Sequence, residues 1–384
     1  MEHKQSRSMD SRLRSRVGGV VAVLIAGLFF STGCDSNGES GQAPASGGNE
    51  AAAPESEEAS DFRASELAAR ARTAFGSLPL NVPNPDNPAT EAKIDLGRML
   101  YYDPRLSKNH DISCNSCHLL DAYGVDGQPT SPGHRGQRGD RNSPTVYNAA
   151  IHVAQFWDGR EPDVEAQAKG PVLNPIEMAA PSADSVVALL ASIPGYVDAF
   201  SAAFPDQAEA LSYDNMARAI GVFERNLLTP GSFDAFMEGD LAALEPAALR
   251  GLETFLAVGC NSCHVGPAVG GSLYRKIGFI FPYETEDKGR ENVTGEAIDR
   301  HVFKVPSLRN IARTGPYFHD GSISDLSEVV RLMGYHQLGL TLTDEQISEI
   351  VSFLGALTGE IDTDYVAKPT LPASGPDTPA PDPS

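Results

Sequence analysis

Apolar positions recur along this chain mostly at the three- and four-residue spacing of amphipathic helices, and seldom in the strict alternation of a half-buried strand. Leu96, Met99 and Leu100 form one stripe. Leu249, Leu252, Phe255 and Leu256 form another behind Pro246, a residue suited to a first helical turn. Ile347, Ile350, Val351, Leu354 and Leu357 form a third, opened by Thr343 and Gln346 at capping-box spacing and followed by Gly359 as a stop. The pattern predicts a mainly α fold. Long stretches rich in Gly, Pro and polar residues separate the stripes, above all 121–148.

The ends read differently. Lys4, Arg7, Arg12, Arg14 and Arg16 precede an apolar run from Val17 to Phe30, and Ser31-Thr32-Gly33-Cys34 follows. This is the layout of an export signal, too short to span a bilayer comfortably. Small residues before a cysteine resemble a bacterial lipobox, with Ser31 where Leu is usual, so Cys34 is expected to be the lipid-bearing first residue of a periplasmic protein held to a membrane by that anchor. Residues 34–61 are rich in Gly, Ser, Ala, Pro and Glu and read as a flexible tether; 361–384 is a Pro-rich tail, expected to be disordered from near Pro369.

With 384 residues and 41% hydrophobic content, the chain can bury two cores. A boundary near Thr229-Pro230-Gly231 divides it into an N-terminal domain, 62–229, and a C-terminal domain, 230–360. The formal charge of −21 becomes −24 once residues 1–33, with five Lys/Arg and two Asp/Glu, are removed. Such a surface repels nucleic acid and anionic membranes; it suits a basic partner, or serves solubility alone.

The five cysteines partition completely. Cys34 takes the lipid, Cys114 and Cys117 stand in one CNSCH, and Cys260 and Cys263 in a second. In C-x-x-C-H the two thiols form thioethers to haem c and the histidine ligates its iron, which makes His118 and His264 proximal ligands of two covalently bound haems. A zinc site or paired redox dithiols are the alternatives. In an oxidising compartment, however, free CxxC pairs tend to close to disulfides.

The sixth ligand decides what a haem does: a protein group makes an electron carrier, and a vacatable position makes a catalyst. Met333 is the only methionine after His264. It is either an axial sulfur or core packing beside Leu332. His134 lies in the Gly-, Pro- and Arg-rich loop after His118 and is either a displaceable ligand or a solvated side chain.

The segments LGRMLYYDPRLS, CNSCH, GVDGQPTSPGH, RNSPTVYNA, AQFWDGR, AKGPVLNPIEM, VPSLRNIARTGPYFHDGS and MGYHQLG resemble, in order and spacing, the bacterial di-haem cytochrome c peroxidases, from about Leu78 to Gly359. The resemblance implies two cytochrome c-like haem domains in tandem with long loops, and reduction of hydrogen peroxide by electrons from a small cytochrome c or cupredoxin. It makes His118 and His134 the axial pair of a peroxidatic haem, and His264 and Met333 that of an electron-transferring haem. Glu177 matches the distal acid/base, Gln167 the neighbouring amide, Trp157 the aromatic residue between the haems, and Asn142, Thr314 and Pro316 the ligands of a calcium ion. His319 is expected near the second haem in a structural hydrogen bond, and His110, His152, His301 and His336 are ordinary polar residues. Homodimerisation, common in that family, is left open. Two rivals stand beside this reading. One is a MauG-like oxidase of a partner protein, disfavoured because that group typically has Tyr in place of Met333; the other is a di-haem electron carrier without peroxidase activity.

If Cys34 carries the anchor, Cys34→Ser releases the protein from membranes or blocks its processing. Equal membrane retention of the variant in a fractionation assay excludes a lipoprotein.

Overall fold

The computed structural model describes residues 57–384, with side-chain surroundings from Asp61 onward. The export segment, Cys34 and the tether up to residue 56 lie outside the described residues. Among the described residues, nine helices of seven or more residues carry the fold. They are α1 (Glu57–Phe75), α2 (Glu91–Tyr102), α3 (Ala183–Ala191), α4 (Pro194–Ala203), α5 (Tyr213–Glu224), α6 (Ser232–Glu238), α7 (Pro246–Val258), α8 (Leu326–Leu338) and α9 (Asp344–Ala356). Strands β1 (Tyr274–Lys276) and β2 (Val302–Lys304) pair antiparallel, with Arg275 opposite Phe303. Mainly helical is therefore what the structure shows.

Two crossed helix pairs organise the molecule. The Thr90 hydroxyl caps α2 by accepting the Lys93 N–H at 3.2 Å, and α2 then crosses α5. The backbones meet so closely that a Cβ on Gly97 would stand 2.0 Å from the Ala219 carbonyl oxygen. The second pair repeats the device. Pro246 opens α7, the reciprocal Thr343 and Gln346 bonds open α9, and a Cβ on Gly251 would stand 1.9 Å from the Glu349 carbonyl oxygen. Only glycine permits this approach without forcing the helices apart. A CNSCH follows the first helix of each pair. Gly359, expected to stop the last helix, does not cap it: α9 ends at Ala356, and Gly359 packs against the Thr229 carbonyl.

Each pair carries its own core. The first gathers Leu96, Leu100, Tyr101, Phe200, Ile220 and Phe223; the second gathers Phe233, Phe236, Leu252, Phe255, Ile350 and Phe353. The termini exchange places. Leu67, Ala68, Ala71 and Phe75 of α1 are buried in the second core, whereas Val366, backed by Ile361 and Tyr365, joins the first, with Tyr365 stacked on Phe223 at 5.2 Å. The segments 62–229 and 230–360 thus depart from the cores at both ends, because a helical stripe docks on whichever face completes it rather than on its neighbour in sequence. Helix α1 also begins inside the expected tether.

The tail expected to be disordered is laid along the first core. Arg105 Nη1 donates to Ser374 Oγ at 3.0 Å, Thr378 Oγ1 pairs with Ser192 Oγ at 3.1 Å, Asp382 N donates to Lys108 O at 3.0 Å, and Lys108 Nζ donates to Ser384 O at 2.7 Å. Low hydrophobicity did not decide its state. Prolines stiffen the chain before it docks, so ordering it costs less entropy, and side chains of the body supply the bonds.

Between the cores, Thr229 Oγ1 accepts from Asn148 Nδ2 at 2.8 Å and from Asn310 Nδ2 at 2.9 Å, while Asn148 Oδ1 accepts the Thr229 N–H at 3.1 Å. All three residues are buried. Thr229→Val keeps the shape but strands two buried amide donors, each costing about 1–3 kcal/mol. The expected result is a lower unfolding midpoint in urea, with both crossed pairs loosened together; an unchanged midpoint would show that the hydroxyl holds nothing.

Candidate functional site

Both CNSCH segments fold as tight helical turns, so each histidine returns toward its cysteines. His118 N donates to Cys114 O at 3.0 Å, and His264 N to Cys260 O at 3.1 Å. Each ring is then oriented by its inner nitrogen: His118 Nδ1 donates to Gly124 O at 3.4 Å, and His264 Nδ1 to Val269 O at 3.3 Å. Spending the proton on Nδ1 leaves Nε2 with its lone pair, the tautomer that binds a metal. Burial favours the same neutral form: it pushes His118 below its usual pKa and His264 down to about 4. Tyr101 OH, buried in the first core, donates to His118 O at 2.8 Å and braces the first turn.

Around the second CNSCH, Cys260, Cys263, His264 and Met333 line one cavity walled largely by Phe255, Ile277, Leu326, Val330 and Leu354. Two thiols, an imidazole with Nε2 unengaged and a thioether on an apolar cavity are the donor set of a covalently attached haem, and the residues fit that group. The same cavity is lined by Trp157, Asn142, Thr314 and Pro316. Trp157 Nε1 donates to Asn142 O at 2.8 Å. Asn142 Nδ2 donates to Gln128 O at 3.0 Å and Pro129 O at 3.2 Å, which turns its amide oxygen away from those carbonyls. Asn142, Thr314 and Pro316 thus offer neutral oxygens, a set suited to a hard cation. His319 lines the cavity too, stacked on Phe303 with centroids 4.5 Å apart and paired with Thr285 Oγ1 at 2.9 Å. His152, expected to be an ordinary polar residue, also faces this cavity beside Lys304. No periodicity marks either residue, because both lie at the edges of short irregular elements.

Around the first CNSCH the structure brings His134 and Glu177 together. His134 N donates to Glu177 O at 2.7 Å, and the preceding Gly133 passes so near Ile176 that a Cβ would stand 2.0 Å from its carbonyl oxygen. Burial pushes Cys117 up to about 11, opposed by a hydrogen bond with Ser131 and reinforced by the charges of Asp126 and Glu177. The Glu177 carboxyl is raised above the usual range by burial, against the opposing pull of Arg160 and of Asn174, whose Nδ2 donates to Glu177 Oε1 at 2.8 Å. The His134 ring is buried, and its Nε2 donates to Ser384 O at 3.2 Å. That contact with the tail had no signal in the sequence. Gln167 ends the short turn Val164–Gln167, half-buried, with no hydrogen bond to Glu177 among the described residues. Its neighbour Glu165 accepts from Arg225 Nε at 2.8 Å and Nη2 at 2.6 Å, which ties the turn to the end of α5.

The family model described as di-haem cytochrome c peroxidase matches residues 91–242. The cytochrome c551 peroxidase of Pseudomonas aeruginosa is 45% identical over 300 residues, covering 77% of this chain and 86% of that protein. That of Nitrosomonas europaea is 46% identical over 304 residues, covering 78% and 89%. A solved MauG-like protein associated with microbial copper homeostasis superposes with a TM-score of 0.68 at 29% identity, over 76% of this chain and 97% of its own. Likeness of this extent is that of common descent, and the chain belongs to the di-haem cytochrome c peroxidase family.

Proposed function

We propose that the protein reduces hydrogen peroxide to water, using electrons delivered by a small cytochrome c or cupredoxin. The observation that carries this reading is the backbone pairing of His134 with Glu177, a half-buried carboxyl of raised proton affinity where an electron carrier needs none. Haem c joined to Cys114 and Cys117, and a second haem c joined to Cys260 and Cys263, supply the iron that accepts and delivers electrons when bound. His118 and His264 would hold the two irons through Nε2, Met333 would serve as a further ligand at the second centre and make the C-terminal tandem domain the electron-receiving one, and His134 would serve as a displaceable ligand at the first. The bond from His134 Nε2 to Ser384 O supports this, since the ring has another partner to turn to.

Glu177 moves a proton from one peroxide oxygen to the other, so that water rather than hydroxide leaves when the O–O bond breaks. Gln167 orients the peroxide from the end of its turn, and Trp157 bridges toward the second centre. Peroxide, two protons and two donor electrons give two waters. Calcium held by Asn142, Thr314 and Pro316, a lipid anchor at Cys34 in the periplasm, and a homodimer complete the proposal. The place of Met333 on the His264 cavity favours this reading over a MauG-like partner oxidase.

Glu177→Gln is expected to keep both haems and electron entry while losing about 10²- to 10⁴-fold in peroxide turnover, the usual worth of a general acid–base group. Turnover at the wild-type rate with the fold intact would sink the assignment. Asn174→Ala removes the donor that favours the Glu177 carboxylate, so its deprotonation moves to higher pH and the pH–rate limb it controls moves with it. A limb that stays in place belongs to another group.

A further inference from the structure

The cavity around the second CNSCH has a cationic wall, and among the described residues no Asp or Glu lines it, in a protein whose formal charge is −21. Lys304 is 7% exposed, and its Nζ donates to His152 Nδ1 at 3.3 Å. That imidazole cannot neutralise it: burial, reinforced by the Lys304 charge, holds His152 well below its usual pKa. His152 Nε2 is buried without a hydrogen-bond partner. Arg275, exposed on β1 opposite the residue that precedes Lys304, reaches the same cavity. Burial lowers Lys304 to about 8, the expected response of an ammonium taken out of water without a counter-ion.

A buried cation of this kind is completed by an anion. Among the described residues no carboxylate lines the cavity, so the anion arrives with whatever the cavity binds. Haem is apolar over its faces and carries two propionate carboxylates on one edge. The cavity has the matching halves, apolar side chains around His264 and Met333 and the cationic wall of Lys304, His152 and Arg275. The wall is also held in place, because Lys304 N donates to Trp157 O at 2.8 Å and Trp157 is in turn tied to Asn142.

We infer that Lys304 and His152, with Arg275 at the mouth, bind a propionate of the haem attached at Cys260 and Cys263, and that the Lys304 charge raises this haem's reduction potential. The inference rests on reading the second CNSCH as a haem site. Its sign follows from electrostatics. Reduction adds negative charge to the iron, an unneutralised propionate opposes that, and an ammonium against the propionate relieves the opposition.

The test uses the holo-protein and three variants, Lys304→Met, Lys304→Arg and Arg275→Met. Haems are counted by pyridine haemochrome, axial ligation is followed by absorption spectra, and midpoint potentials are read by spectroelectrochemistry. Lys304→Met is expected to keep two haems and unchanged axial ligation with a lower potential at the C-terminal haem; Lys304→Arg stays near wild type, and Arg275→Met drops by less. Should Lys304→Met fail to fold, the exposed Arg275→Met and the conservative Lys304→Arg still decide the matter. Unmoved potentials in Lys304→Met and Arg275→Met, with two haems bound, overturn the inference and leave the haem reading intact. A wild-type protein that binds no haem at the second CNSCH overturns the reading beneath it.

Discussion

One hydroxyl stands where the two halves of the molecule meet. Thr229 Oγ1 accepts an amide N–H from each side, from Asn148 and from Asn310, and both asparagines adopt left-handed backbone, at φ 60° and φ 62°. Asparagine tolerates that conformation better than other side-chain-bearing residues, and here its amide is spent on the shared acceptor. Each then opens a single helical turn, Ala149–Ile151 on one side and Ile311–Arg313 on the other. The stretches flanking those turns carry Asn142, His152 and Trp157 from the first half, and Lys304, Thr314, Pro316 and His319 from the second. The two turns next to these residues are thus tied to one another through a single buried hydroxyl, by bonds of 2.8 and 2.9 Å.

The parts of this arrangement with a local cause were legible in the sequence. Pro246 and the Thr343–Gln346 box mark where α7 and α9 begin because capping satisfies backbone groups within a few residues. The CNSCH pentapeptides announce their chemistry for the same reason, all donors lying within one turn. The pairing of His134 with Glu177 came only through family resemblance, since the two are 43 positions apart and meet through backbone atoms that leave no residue signature.

What escaped was set by distance in the chain rather than by weak chemistry. Nothing in the sequence of α1 says that Phe75 will meet Phe233 with centroids 5.7 Å apart. Gly359 looked like a helix stop; its lack of a side chain serves a close approach to Thr229 instead. Lys304 and His152 were missed because a lone basic residue in a short strand is ordinarily solvated, and only the absence, among the described residues, of any carboxylate on their cavity makes them unusual. The tail was misjudged from composition, which reports how much a segment can bury and not how many partners the body extends to it.

The exchange of termini has a bearing on how the chain matures. The first core takes Val366 and the second takes Leu67 and Phe75, so the earliest helix waits for the last third of the chain, and the earliest core for its last twenty-odd residues. Each half lacks part of its buried core until the other is present. A gene cut at the boundary would give two fragments, each missing a piece of its core that the other holds.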